Sequence, residues 1–187
     1  MGTIPCPTLM DFKQGDQCFE SLAGLGTSVY IGLKADLKQP MVATDDEYAT
    51  PVFNSGKGLY KLDCKDESQQ IESKSLGNNK GFEQTLEVTL DAVNKITSKL
   101  GRALNNLDYF IIVKDGNESQ IMYDASRRVK IENGGITSKT GKKADDERQT
   151  DIKFTLKPVL YSNYFVTEPT QGGWDSLLAT KPGSSVG

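Results

Sequence analysis

The sequence contains no histidine in its 187 residues. Histidine is the most frequent general base in enzymes and the most frequent zinc ligand, and Ser-His-Asp and Cys-His catalytic sites depend on it. The GxxxxGKS or GxxxxGKT phosphate loop and the GxGxxG dinucleotide fingerprint are missing too. These absences predict a protein that is not an enzyme, and we expect neither a cofactor nor a metal ion. A two-carboxylate glycosidase stays compatible with the sequence, because it needs no histidine.

Aromatic residues are scarce, at 8% of the chain with a single tryptophan, Trp174. Sugar-binding clefts are usually lined by aromatic side chains, so the scarcity disfavours a glycosidase. Trp174 follows two glycines in the C-terminal region. We interpret it as the anchor of a C-terminal arm, and the alternative is an indole ring that stacks on a sugar.

Cysteine is rare and the net charge is small. Cys6, Cys18 and Cys64 are an odd number without CxxC spacing, which predicts reduced thiols rather than a disulfide framework or a zinc ribbon. The chain has 22 basic and 25 acidic residues, a net charge of -3. This balance disfavours a protein that grips nucleic acid through its phosphates.

Long apolar runs are absent. No stretch approaches 18 apolar residues, and the N-terminus lacks a basic region followed by an apolar run. The sequence therefore predicts a soluble protein made in the cytoplasm, without a membrane segment.

Three charged clusters could in principle form sites. Adjacent carboxylates in polar loops are usually solvated and neither acidic run has EF-hand spacing, while the basic cluster is mixed with acidic neighbours. We interpret all three as solvated surface. They are Asp45 to Glu47, Asp145 to Glu147, and Arg127, Arg128 and Lys130.

The chain length predicts one domain, residues 1–187. Residues 1–26 show no regular period and are predicted to form an N-terminal arm. Residues 27–166 are predicted to form a β core with a helix at residues 91–105, and residues 167–187 a C-terminal arm. Polar loops are expected at residues 38–56 and 132–149, where Pro, Gly, Asp, Ser and Asn are frequent.

The clearest strand begins at Phe82, where apolar and polar residues alternate as far as Leu90. Leu86 and Val88 are expected to face the core, with Glu83, Thr85 and Glu87 on the opposite face. With a preceding strand that starts at Leu59 and runs through Gln70, Glu72 and Lys74, it forms a predicted long polar hairpin over residues 59–90.

A change of period at Asp91 predicts the helix, with Asp91 as its N-cap. Residues 107–114 are apolar on both faces, which is typical of a central strand, and the helix is expected to cover it. Gly101 within the helix predicts a close approach to the sheet. The fold class is therefore mainly β, a β-sandwich or barrel with one amphipathic α-helix on its flank, a long polar hairpin and extended terminal arms.

This order of polar hairpin (59–90), helix (91–104), central strand (107–114), late strand (150–156) and two irregular ends resembles the tail tube family of long-tailed phages and related contractile injection machines. The resemblance implies a virion tail protein whose subunits form a ring, commonly hexameric, that stacks into a tube and contacts other tail or virion proteins. It implies that long hairpins pair edge to edge, here through Gln70, Glu72 and Lys74.

The resemblance also implies a mildly acidic lumen, lined by Glu83, Thr85 and Glu87, through which DNA passes without specific binding. Two other interpretations fit the same alternations. One is a free β-sandwich monomer with a decorating helix, and the other is a carbohydrate-binding or adhesin-like module.

Overall fold

The computed structural model describes residues 25–65, 68–78, 80–116, 118–141 and 147–179, with side chains from Ser28 onward. Within these ranges the chain is mostly β-strand with one α-helix, as predicted. The elements are, in chain order, β1 Leu25–Leu33, β2 Ala43–Thr44, β3 Glu47–Tyr48, β4 Leu59–Asp63, β5 Gln70–Ser75, β6 Phe82–Leu90, α1 Lys95–Asn106, β7 Tyr109–Asp115, β8 Glu118–Met122, β9 Lys130–Lys139, β10 Gln149–Val159 and β11 Phe165–Val166.

The strands form two sheets. The larger sheet has the order β2-β3-β11-β8-β7-β1-β4 and the smaller one the order β5-β6-β10-β9. Their inner faces share one core, in which the ring centroids of Tyr109 (β7) and Phe154 (β10) lie 6.1 Å apart. Neither sheet closes on itself over the described residues, so the fold is a β-sandwich and not a barrel.

The central strand is where the sequence predicts it. β7 lies between β8 and β1, and Tyr109 to Val113 are all buried. The predicted cover is wrong, however. Phe53, from the long loop before β4, stacks on Phe110 with ring centroids 6.4 Å apart, whereas α1 packs against β9 of the smaller sheet.

The predicted hairpin over residues 59–90 is two separate structures. β4 pairs with β1 in the larger sheet, and β5 pairs with β6 in the smaller sheet. The chain passes from one sheet to the other between Asp63 and Gln70, where the amide of Lys65 donates to the carbonyl of Thr89. Both strands have the two-residue period of a strand, so the sequence alone does not show that they belong to different sheets.

The helix starts later than predicted, at Lys95, and its N-cap is Asn94 and not Asp91. The Asn94 side chain accepts hydrogen bonds from the amides of Ile96 and Thr97, and the Thr97 hydroxyl accepts one from the Asn94 amide. This reciprocal capping box satisfies three backbone amides at once, which an aspartate at position 91 does not do.

Gly101 does not mark a forced close approach. A Cβ at this position would meet Ile136 Cδ1 of β9 at 3.5 Å, an ordinary van der Waals distance. Packing therefore leaves room for alanine, and the predicted reason for this glycine is wrong.

Of the two predicted arms, most of the N-terminal one and the end of the C-terminal one lie outside the described residues. Residues 1–24 of the N-terminal arm lie outside the described residues. The described part of the C-terminal arm packs on the larger sheet through a short 3-10 helix, Gly173–Leu177, and the amide of Ala179 donates to the carbonyl of Leu59. No helix in the described ranges combines the length and apolarity of a membrane span.

Candidate functional site

The residues predicted for the lumen and for the inter-subunit hairpin lie on one surface. They pair directly across β5 and β6, so their side chains project from the same side of the smaller sheet, away from the core. We call the solvent side of this sheet the polar face. The three cross-strand pairs are Gln70 with Glu87, Glu72 with Thr85, and Lys74 with Glu83.

The alternation of β6 creates this face. Gln84, Leu86, Val88 and Leu90 are buried on the core side, while the residues between them are partly or fully exposed. Because the period of a strand is two, the buried positions fix which residues face outward. The face is wholly polar along β6.

The predicted acidic lining is neutralised by lysines of β10. Lys157 donates to Glu83 Oε1 at 2.6 Å, and the Thr155 hydroxyl donates to the same oxygen at 3.1 Å. Lys153 lies 2.8 Å from Glu87. The expectation of an acidic face is therefore wrong for this sheet, where carboxylates and ammonium groups alternate.

Two carboxylates of the polar face show the effect of these contacts. The hydrogen bond from Lys157 holds the pKa of Glu83 below its usual value, although partial burial opposes the shift. Burial would raise the pKa of Asp151, but hydrogen bonds from Thr89 and Gln149 and the charge of Lys139 lower it. Both carboxylates are thus held ionised by neighbouring strands.

The sequence failed to predict β9, most of which lies in the expected loop at residues 132–149. β9 pairs with β10 through Ile131 and Ile136, and the four residues between them bulge opposite Lys153 alone. A Cβ on Gly135 would lie 2.9 Å from the carbonyl oxygen of Lys153, so the close approach requires glycine. The Asn133-Gly134-Gly135 run was the available signal, because glycine inside a strand often marks a bulge.

The bulge leaves a shallow polar recess of about 280 Å³ on the polar face, lined among others by Thr89, Glu132, Thr137, Asp151 and Lys153. Lys153 bridges Glu87 and Glu132 across it, at 2.8 Å and 3.3 Å. The charged groups that line the recess are all in described ion pairs, Lys153 with both glutamates and Asp151 with Lys139.

The four sheet edges are not equally protected over the described residues. β2 is only two residues long, β4 is joined to the C-terminal segment by a bridge between Leu59 and Leu178, and β9 is interrupted by its bulge, which hinders edge pairing. No described strand pairs with the outer side of β5, Gln70–Ser75. An uncovered edge presents free backbone amides and carbonyls, which readily pair with another chain.

Trp174 is 2% exposed and lies in the 3-10 helix on the outer side of the larger sheet. Its indole N–H donates to the Ser119 hydroxyl at 2.9 Å, and its ring lies 6.4 Å from that of Tyr30. A ring this deeply buried has no free face for a sugar to stack on.

The charged clusters of the sequence do not converge on a site within the described residues. Arg127 pairs with Asp124 at 3.2 Å, and Arg128 donates to the carbonyl of Leu107 at the end of α1. No group of three or more carboxylates and cysteines there could hold a metal ion. Of the second acidic run, Asp145 and Asp146 lie outside the described residues, and Glu147 pairs with Lys65.

Of the three cysteines, only Cys64 lies in the described ranges, and its thiol is free. Burial raises the pKa of this thiol to about 11, against a smaller opposing effect of a hydrogen bond from Gln69. A thiol that stays protonated at neutral pH is a poor nucleophile and a poor metal ligand.

Glu83→Gln should reveal how the contribution of the Glu83 charge to stability depends on pH. The folded-state pKa of Glu83 is lowered, so its charge stabilises the fold above the unfolded-state pKa of about 4.3. That contribution is lost as the pH falls through the folded-state pKa. We expect the variant to be less stable by up to about 1 kcal/mol at pH 7, with the difference vanishing in acid.

Urea unfolding between pH 7 and pH 2 measures this difference. Glu118→Gln is the matched control, since Glu118 is exposed and outside the described ion pairs. A Glu83→Gln variant as stable as the wild type at pH 7 would show that the Lys157 contact contributes nothing.

The chain was compared with protein-family models, with curated proteins and with solved structures, and none of the three comparisons gave a match.

Proposed function

We propose that this chain is a virion structural protein, a tail tube subunit that assembles into stacked rings around a conduit for DNA. The observation that carries the proposal is the combination of an uncovered edge strand, β5, with a polar face on the same sheet. An edge that can pair gives a way to assemble, and a polar face gives a surface that stays wet after assembly.

Edge pairing is the expected mode of contact. β5 is six residues long, about 20 Å at the usual rise per residue, which is long enough for several backbone hydrogen bonds to a neighbouring subunit. Such pairing continues the smaller sheet from one copy to the next. When a contact joins two different surfaces of the same chain, repetition closes a ring or extends a filament, and we propose a closed, hexameric ring.

The polar face suits the wall of a conduit. DNA binds surfaces on which Lys and Arg are free to neutralise phosphates. On this face, Lys153 and Lys157 are already paired with glutamates. In the proposed tube, Glu83, Thr85 and Glu87 line the lumen together with these lysines, and the duplex slides past without a binding site.

Two proline variants test the pairing through β5. Adjacent amides of a strand point to opposite sides, so of Glu72 and Ser73 only one donates toward β6 and the other points to the open edge. Proline at the open-edge position removes a donor needed for subunit pairing and spares β5–β6. We expect one of Glu72→Pro and Ser73→Pro to melt like the wild type yet fail to assemble.

Sedimentation velocity and thermal melting of both variants, beside the wild type, give the result. Pro158 shows that β10 accommodates a proline next to its end, so a proline in a strand is not foreign to this fold. If both variants fold and assemble like the wild type, β5 is not the contact, and the proposal loses its main support.

A further inference from the structure

Helix α1 carries three cations and no carboxylate. Lys95, Lys99 and Arg102 are spaced by four and three residues, which places them on one exposed side of the helix. None of them pairs with an acidic residue in the described ranges. Lys95 opens the helix, where the helix dipole disfavours a cation, and it repels Lys99 one turn on. The stability of the helix itself gives no reason for this pattern.

An exposed aliphatic residue lies beside this charged side of the helix. Ile96 is 75% exposed. We call Lys95, Ile96, Lys99 and Arg102 the basic helix surface. A large aliphatic side chain in water is unremarkable alone, but here it stands beside unpaired charges of one sign.

The turn between β2 and β3 has the opposite composition. Asp45, Asp46 and Glu47 are consecutive, and none takes part in an ion pair with a described residue. Val42, just before β2, is 81% exposed. We call Val42, Asp45, Asp46 and Glu47 the acidic hairpin tip.

The two surfaces match in charge and in apolar content. Val42 and Ile96 are the two most exposed large hydrophobic side chains among the described residues. One is flanked by carboxylates and the other by cations, so bringing the surfaces together would pair the charges and cover both aliphatic groups. Unpaired like charges kept on both surfaces are explained if each has its partner on another molecule.

We propose that the acidic hairpin tip of one copy docks on the basic helix surface of the next copy. The inference rests on the proposed function, since it names a second contact within the same assembly. The tip lies at the end of the larger sheet and the helix lies against β9 of the smaller one. The contact therefore joins two different surfaces and repeats from copy to copy. It fixes orientation, while β5 pairing supplies the extended contact.

Charge reversal and its rescue test this contact. We compare Lys95→Glu/Lys99→Glu, Asp46→Lys/Glu47→Lys and a chain with all four changes. Each reversal alone turns attraction into repulsion and should raise the concentration needed for assembly by about tenfold or more. The four changes together restore attraction and should bring that concentration back near the wild-type value.

Lys38→Glu/Lys80→Glu is the matched control, because both lysines are exposed and outside the described ion pairs. It changes the net charge by the same amount as the helix reversal and should have little effect. Val42→Ser and Ile96→Ser should weaken assembly more than Leu160→Ser, at a residue that is 52% exposed. Circular dichroism confirms that each variant is folded.

The possible failures point to different conclusions. If the wild type stays monomeric at every concentration and salt, the proposed function is wrong and this contact with it. If the wild type assembles and the reversal variants assemble equally well, only this contact is wrong. The same holds if the control variant raises the concentration needed for assembly as much as the reversal variants do. If the helix reversal abolishes binding to a DNA duplex and leaves assembly unchanged, the basic helix surface serves nucleic acid and the proposal is overturned.

Discussion

Trp174→Ala is expected to lower the free energy of unfolding by about 3–5 kcal/mol. The change removes the largest of the fully buried side chains and leaves a cavity between the 3-10 helix and the larger sheet. It also leaves the Ser119 hydroxyl, itself buried, without the indole N–H. An unsatisfied buried hydroxyl costs about 1–3 kcal/mol, which places the expected loss toward the upper end of this range.

The same change should release the C-terminal segment. This segment touches the sheet through Tyr30, whose hydroxyl donates to Asp175 at 2.8 Å, and through the Ala179 amide bonded to Leu59. Without Trp174 between them, these hydrogen bonds, the Leu59–Leu178 bridge and the Lys61–Asp175 ion pair at 3.4 Å hold it only weakly. Limited proteolysis after residue 172 should therefore be faster in the variant, at a temperature where both chains are folded.

Trp174→Phe is the control for Trp174→Ala. It keeps much of the ring volume and loses the hydrogen bond, so its loss of stability should be clearly smaller. Urea unfolding followed by circular dichroism measures all three chains, because the substitutions remove the only tryptophan. A loss under about 1 kcal/mol for Trp174→Ala would show that the segment is not held by this side chain, since such a value is typical of a surface position.

Phe154→Ala is expected to destabilise the protein by about 3–5 kcal/mol. Phe154 is completely buried in β10 and meets Tyr109 of β7 edge to face, with ring centroids 6.1 Å apart. This contact joins the two sheets at the centre of the sandwich. Removing it creates a cavity that the rigid strands on either side cannot close.

Leu160→Ala serves as the surface control for Phe154→Ala, and we expect it to change stability by less than about 0.5 kcal/mol. Leu160 follows β10 directly and is half exposed. If Phe154→Ala were as mild as Leu160→Ala, the two sheets would not share a core, and the sandwich arrangement itself would be contradicted.

Local periodicity was sufficient for β6 and β7 and for the faces of β6. The alternation from Phe82 to Leu90 placed Glu83, Thr85 and Glu87 on the solvent side, and the structure agrees. The doubly apolar run at residues 107–114 correctly indicated a central strand. These features depend only on residues within a few positions of each other, which is why a sequence contains them.

Features set by distant partners could not be predicted. The Lys157–Glu83 hydrogen bond joins residues 74 positions apart, so nothing near Glu83 reveals that its charge is neutralised. The crossing from β4 to β5 also depends on which strand lies opposite each of them. Local sequence patterns do not contain the strand pairing that decides both features.

The start of the helix was a different kind of error. Asp91 is a good N-cap residue, but Asn94 is another, and Thr97 three residues later completes a capping box with it. The signal was present in the sequence and the two candidates compete locally. In the structure, Asn94 together with Thr97 caps the helix, and Asp91 does not.

The central claim is that copies of this chain assemble into hollow rings or tubes, and negative-stain electron microscopy of the wild-type protein over a range of concentrations tests it most directly. The account predicts uniform rings or stacked tubes with a stain-filled centre at high concentration. Particles of the size of one 20.5 kDa chain at every concentration would contradict it.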